Sequence, residues 1–218
     1  MLCIIYQNLS YAVFAHIVSS NIIMPDKVMP LNTATKDVPT RHSTDITIRD
    51  AVIEDIPAIT AIYRHHVLHG TASFEEEAPD ATEIGNRFRA IRDKGMPYLV
   101  GIRDDEIVGY CYASTYRPRT AYRHTVENSI YVAPDCVGQG VGSLLMVALI
   151  ERCEAGPWRQ MVAAIGDSAN KASITLHQRH GFEMIGTFKK VGYKFDRWLD
   201  SVLMQRPLGE DSPVIPKS

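Results

Sequence analysis

Residues 127–145 read ENSIYVAPDCVGQGVGSLL, an apolar strand that breaks into a glycine-rich turn and opens directly into an apolar helix. Gly138, Gly140 and Gly142 let the backbone turn tightly and approach a ligand closely. The first amides of a helix beginning near Gly142 have no intrahelical acceptors, so they point at whatever anion lies before them. This layout suits a pyrophosphate. A nucleotide P-loop would place Gly-Lys-Ser or Gly-Lys-Thr here, and no lysine follows the turn until Lys171. A dinucleotide fingerprint fails at Ser143, where glycine or alanine is required, and no βαβ unit opens the domain. The plain alternative is a strand-turn-helix whose glycines serve packing alone.

Around this stretch, 218 residues suffice for one domain of ordinary size with a tail. Charged residues make up 22% and the formal net charge is −2, so no broad basic field exists to hold nucleic acid or an anionic membrane. Small-molecule chemistry fits better. Cys3, Cys111, Cys136 and Cys153 form no C-x-x-C pair, which argues against a zinc site or a disulfide framework and for a reducing cytoplasm. Residues 1–23 are apolar but interrupted by Gln7, Asn8, Ser10 and His16, with no basic start. They match neither a secretory signal nor a membrane span. Residues 1–44, with Met24 and Met29 as alternative starts, read as a flexible extension; residues 45–208 form the domain and 209–218 a tail.

Periodicity and breakers place a strand at 46–49, a helix entered through Pro57, a loop at 70–79, and a second helix at 81–94 closed by Gly95. Strands 98–103 and 106–116 join through Asp104-Asp105, and strand 125–132 delivers the glycine turn. Helix 142–153, strand 160–165, helix 170–180 and strands 182–190 and 199–205 follow. The order β-α-α-β-β-β-α-β-α-β-β describes a mixed α/β domain.

This order, with the turn at residues 137–142, resembles the GNAT superfamily of acyl-coenzyme A N-acetyltransferases. TVENSIYV, GTASFEEE, LHQRHGF and GYKFDRWLD together are similar to its phosphinothricin and methionine sulfoximine N-acetyltransferase branch. Val137 departs from the arginine or glutamine usual there. The resemblance implies transfer from acetyl-CoA to the α-amine of a small amino acid, without a metal, in a homodimer. It places the coenzyme along Ile130, Tyr131, Val132, Gly138, Gln139, Gly140, Val141, Gly142, Ser143 and Asn170. A GNAT enzyme acting on a protein N-terminus or polyamine, or a coenzyme-binding sensor without catalysis, are the rival readings.

Acyl transfer to a protonated amine needs a base. Glu127 enters the coenzyme turn on a strand whose neighbours Val126, Ile130 and Val132 are apolar, so burial would raise its pKa. The family's proposed base falls on the matching glutamate. By the same resemblance the Val132 N–H is an oxyanion donor, and His177 takes the position of the acid that serves the departing thiolate. Asn170 begins a helix and suits its cap, while Ser143 suits either a cap or a phosphate contact. Arg117, Arg119 and Arg123 cluster upstream of Glu127; the related branch holds the substrate carboxylate with this loop, Arg117 or Arg119 being the choice here. Phe74 and Glu75 are expected to wall the same pocket. His65 and His69 share a helix face beside His66, but without a third acidic ligand they make a poor metal site.

Overall fold

The computed structural model describes residues 45–209, so the extension 1–44 and the tail 210–218 lie outside the described residues. The chain runs β1 (Thr47–Asp50), α1 (Ile56–His69), α2 (Ala81–Arg92), β2 (Tyr98–Arg103), β3 (Glu106–Thr115), β4 (Thr125–Val132), α3 (Val141–Glu154), β5 (Gln160–Gly166), α4 (Lys171–Arg179), β6 (Glu183–Lys194) and β7 (Arg197–Pro207). This is the order read from the sequence. The local signals explain the boundaries: Asp80 accepts the Glu83 N–H at 2.8 Å to start α2, and Asn170 accepts the Ser173 N–H at 3.2 Å to start α4. Asp104 and Asp105 both take positive φ, the backbone that a tight two-residue hairpin requires.

The seven strands form one sheet in the order β1-β2-β3-β4-β5-β7-β6. Every neighbouring pair is antiparallel except β4 and β5. Helix α3 covers one face, burying Leu145, Met146 and Leu149 against Val126, Ile130 and Val132. Helices α1 and α2 cover the other, burying Ile59, Ile62 and Phe88 against Tyr98, Tyr110 and Tyr131. Adjacent residues of β4 therefore serve opposite cores, as a strand's period of two demands.

The last two strands run longer than their composition suggests. The β6–β7 register extends to Lys194 opposite Arg197, around a turn in which Phe195 and Asp196 both have positive φ. The pairing is irregular between Phe188 and Gly192, which breaks the alternation a reader would look for.

The feature that opens a site is the parallel pair. β4 and β5 are in register only at Thr125–Gln160, Val126–Met161 and Glu127–Val162. Beyond Glu127 the strands diverge, leaving a cleft between residues 128–132 and residues 163–166, whose outer side is occupied by β7.

Candidate active site

The glycine turn closes one end of that cleft. Gly138 and Gly140 have φ of +79° and +85°, and a Cβ built at either would meet no atom within 4 Å. Gly140 is the N-cap of α3 and offers no side chain to its first amides. The helix thus presents uncapped N–H groups across open space, a cradle for an anion. Gly142 has a different task, because a Cβ there would touch Leu176 of α4 at 3.4 Å. Ser143 is not the cap: its hydroxyl lies 2.8 Å from His180 Nε2, linking α3 to the end of α4. Gln139 folds back along the loop, donating to the Asp135 carbonyl at 2.7 Å and accepting from Arg103. Arg103, at the end of β2, so brings a guanidinium to a turn whose own side chains carry no charge.

Strand β4 supplies the cleft's edge. The Ala133 N–H donates to the Val108 carbonyl at 2.9 Å, so alternation turns the amides of Ile130 and Val132 toward β5 and that of Tyr131 toward β3. Tyr131 enters by packing, stacked 5.1 Å from Tyr110 and edge-on to Tyr63. Val132 is fixed through its carbonyl, which accepts from Nε2 of His66 on α1 at 2.7 Å. His66 thereby turns to the strand and away from a metal site; His65 and His69 lie with ring centroids 4.9 Å apart. Among the described residues no group of three or more His, Cys, Asp or Glu side chains is placed to hold a metal ion.

Glu127 is half-buried on the α1–α2 face of the sheet. Val126, Ile130 and Val132, expected to enclose it, belong to the core on the opposite face, so they do not surround its carboxylate. Its neighbours are polar. Burial raises the Tyr112 phenol, with opposing contributions from the Ser129 hydrogen bond and Arg87 and supporting ones from Glu127 and Glu75, which gathers these groups on one face. Tyr63, Arg87, Tyr98, Tyr110 and Tyr112 line a cavity there, and Glu75 bonds both the Tyr63 hydroxyl (3.0 Å) and Arg87 (2.7 Å). A second cavity, lined by Tyr116, Tyr122, Thr125, Val162 and Gln205, lies on the β5 side of Glu127.

Arg117, Arg119 and Arg123 are exposed. Arg117 lies 5.1 Å from the Tyr116 ring; its bond to Tyr116 chiefly holds its pKa up, and Glu127's charge acts in the same sense. Phe74 covers Gly192 of β6 so closely that an added Cβ would stand 2.5 Å from its ring.

The geometry corrects the role expected of His177. The ring is fully buried, Nδ1–H donates to the Ser173 carbonyl at 2.8 Å, and Nε2 accepts from the Asn128 amide at 3.0 Å. Burial depresses its pKa to about 4. A neutral imidazole whose Nε2 is an acceptor holds no proton for a thiolate, and packing edge-on to Phe182 gives it a structural place. Tyr63, Arg87 and Tyr112 were not singled out by sequence, because tyrosines in an apolar stripe read as core and a helix arginine reads as a solvated charge.

His66, like His177, is held near pKa 4 chiefly by burial. Both are neutral in the folded protein and bind protons once unfolded, near their ordinary value of about 6.5. The stability that these two neutral rings contribute is therefore fully present above about pH 6.5 and is lost as pH falls toward 4. Each ring withdraws on the order of 3 kcal/mol over that window. Urea midpoints measured against pH should show this, and His66→Gln, which keeps a donor for Val132 but does not titrate, should remove about one proton from the slope. An unchanged slope would mean that His66 is already charged in the fold.

The splayed strand, the uncapped helix and the glycine turn together define a coenzyme A-dependent acyltransferase scaffold. A model of the acetyltransferase (GNAT) domain matches residues 48–203, and the chain belongs to that family of acetyltransferases. It is 52% identical over 189 residues to phosphinothricin N-acetyltransferase of Alcaligenes faecalis, covering 84% of this chain and 96% of that one. It is 45% identical over 159 residues to the L-methionine sulfoximine/L-methionine sulfone acetyltransferase of Pseudomonas paraeruginosa, covering 72% and 92%. The crystal structure of a phosphinothricin acetyltransferase from Sinorhizobium meliloti in complex with acetyl-CoA superposes with a TM-score of 0.77 at 46% identity, covering 79% and 94%.

Proposed function

We propose that the protein acetylates the α-amino group of a small amino acid such as phosphinothricin, methionine sulfoximine or methionine sulfone, using acetyl-CoA and Glu127 as general base. The observation that carries this reading is the divergence of β4 from β5, which begins at Glu127 and leads to Val132 and the uncapped end of α3. The residues fit the coenzyme: Gly138 to Ser143 would hold its pyrophosphate on backbone amides, and the edge at Ile130 and Val132, together with Asn170 at the start of α4, its pantetheine arm. When bound, acetyl-CoA supplies a thioester carbon open to attack by an amine. Glu127 takes the ammonium proton that would otherwise block attack, and the Val132 N–H, held in place by His66, offers a donor to the acetyl oxygen. The C–N bond forms as the C–S bond breaks, the thiolate leaving as the thiol with the proton that the attacking nitrogen sheds.

Arg117 or Arg119 receives the substrate's carboxylate, which sets the amine toward Glu127. Arg117 is favoured because its guanidinium lies 5.1 Å from the ring of Tyr116, which lines the cavity beside Glu127. Free amino acids should be acetylated far better than their amides, by on the order of 10²-fold, and Arg117→Ala should abolish the difference. Steady-state assays with matched acid and amide pairs decide this. Equal losses on both substrates in Arg117→Ala and Arg119→Ala would remove the loop from carboxylate recognition.

Two copies are proposed to pair through the β6–β7 hairpin. β6 is an edge strand of the sheet, and Ile185, Phe188, Val191, Tyr193 and Trp198 are all more than half exposed. Among the described residues no helix is long and apolar enough to cross a membrane, and Cys111, Cys136 and Cys153 form no disulfide. A cytoplasmic location suits them. The catalytic domain is proposed to comprise residues 45–208.

A further inference from the structure

The segment GYKFDRWLD, which forms the tip of the β6–β7 hairpin, contains a charge buried against the end of α1 and the loop that follows it. Lys194 is 4% exposed, and its ammonium donates to the carbonyls of Val67 at 2.7 Å and Ser73 at 2.8 Å. Val67 lies in the last turn of α1, whose carbonyls have run out of helical donors and carry the negative end of the helix dipole. Ser73 directly precedes Phe74 and Glu75, and its hydroxyl bonds both the Tyr63 hydroxyl (2.9 Å) and the Glu75 N–H (3.2 Å). Two residues before the lysine, Gly192 lies under the Phe74 ring with no room for a Cβ. The hairpin tip thus grips residues 70–79 at two adjacent points. Glu75 carries the grip onward to Tyr63 and Arg87, which line the cavity on Glu127's face.

We infer that Lys194, backed by the seat of Phe74 on Gly192, is a positioning residue for the amino-acid site: it holds the loop at residues 70–79 so that Glu75, Tyr63 and Arg87 keep the cavity in shape. This rests on the reading that the cavity borders the amino-acid site. A buried ammonium gives such a tether little slack, since losing it would leave both an unpaired cation and two unpaired carbonyls in the interior. The bonds run to α1 and its loop, not to β4 or α3, so coenzyme binding should be nearly indifferent to them.

The test uses full-length Lys194→Met and Gly192→Ala, the first removing the ammonium, the second keeping it and displacing only Phe74. Both should raise KM for the amino acid by about tenfold or more, with kcat and the calorimetric Kd for acetyl-CoA changed by less than about twofold. Hydrogen exchange should accelerate in peptides covering residues 70–79 and stay unchanged across residues 137–145. Lys194→Arg, which keeps the charge and donors, should recover part of the KM. If Lys194→Met does not fold, Gly192→Ala carries the same expectation alone. Unchanged KM and exchange, or acetyl-CoA affinity falling in step with amino-acid KM, would overturn the inference. A wild-type protein that acetylated no amino acid would instead defeat the proposed function, while the exchange experiment would still report on the tether.

Discussion

Glu127→Gln should lower turnover by about 10² to 10⁴-fold while leaving acetyl-CoA affinity within about twofold of wild type. The substitution keeps the shape and half-buried position of the side chain and removes only its capacity to take a proton. Its consequences should be separable from folding, because Glu127 occupies the last rung of the β4–β5 pairing through its backbone, which glutamine reproduces. Raising the pH should recover part of the loss, since a larger share of substrate amine is then already neutral. A Glu127→Gln enzyme that turns over normally at neutral pH would take the carboxylate out of the mechanism.

Gly140→Val should abolish measurable acetyl-CoA binding. At φ +85° a β-branched residue is strained by an amount on the order of 1–3 kcal/mol, and its Cβ projects into space that no protein atom occupies within 4 Å. That space lies before the first amides of α3, which have no side-chain cap. The variant therefore loses coenzyme by filling the anion's place rather than by breaking a protein contact, and its thermal unfolding should remain cooperative. Calorimetry that found undiminished affinity in the folded variant would refute the pyrophosphate assignment.

The strand, turn and helix of residues 125–154 were legible in the sequence because each signal is local. β-branched and apolar residues stop at Pro134, glycines at 138 and 140 take positive φ, and apolar residues then recur at helical spacing. The same locality made the hairpin at Asp104-Asp105 and the caps at Asp80 and Asn170 readable. The misreadings concern relations between distant residues. Val126, Ile130 and Val132 neighbour Glu127 in the chain but pack on the other face, because alternation along a strand outweighs proximity in sequence. His177 bears the chemistry of an acid, yet Asn128, forty-nine positions away, occupies the nitrogen that would deliver the proton. The end of β6 was cut short because Gly192 interrupts the pattern, and only Phe74 lying over it shows why glycine is there. Arg87 and Lys194 look like solvated charges until the loop at residues 70–79 is laid beside them.

The most direct test of an amino-acid N-acetyltransferase is free-thiol release from acetyl-CoA in the presence of methionine sulfoximine, with the N-acetyl product counted in the same samples by mass spectrometry. Thiol should appear in equal amount to N-acetylmethionine sulfoximine, similarly with phosphinothricin or methionine sulfone, and should fall to background in Glu127→Gln. Coenzyme binding without thiol release for any free amino acid, or release only with a peptide N-terminus, would contradict the account.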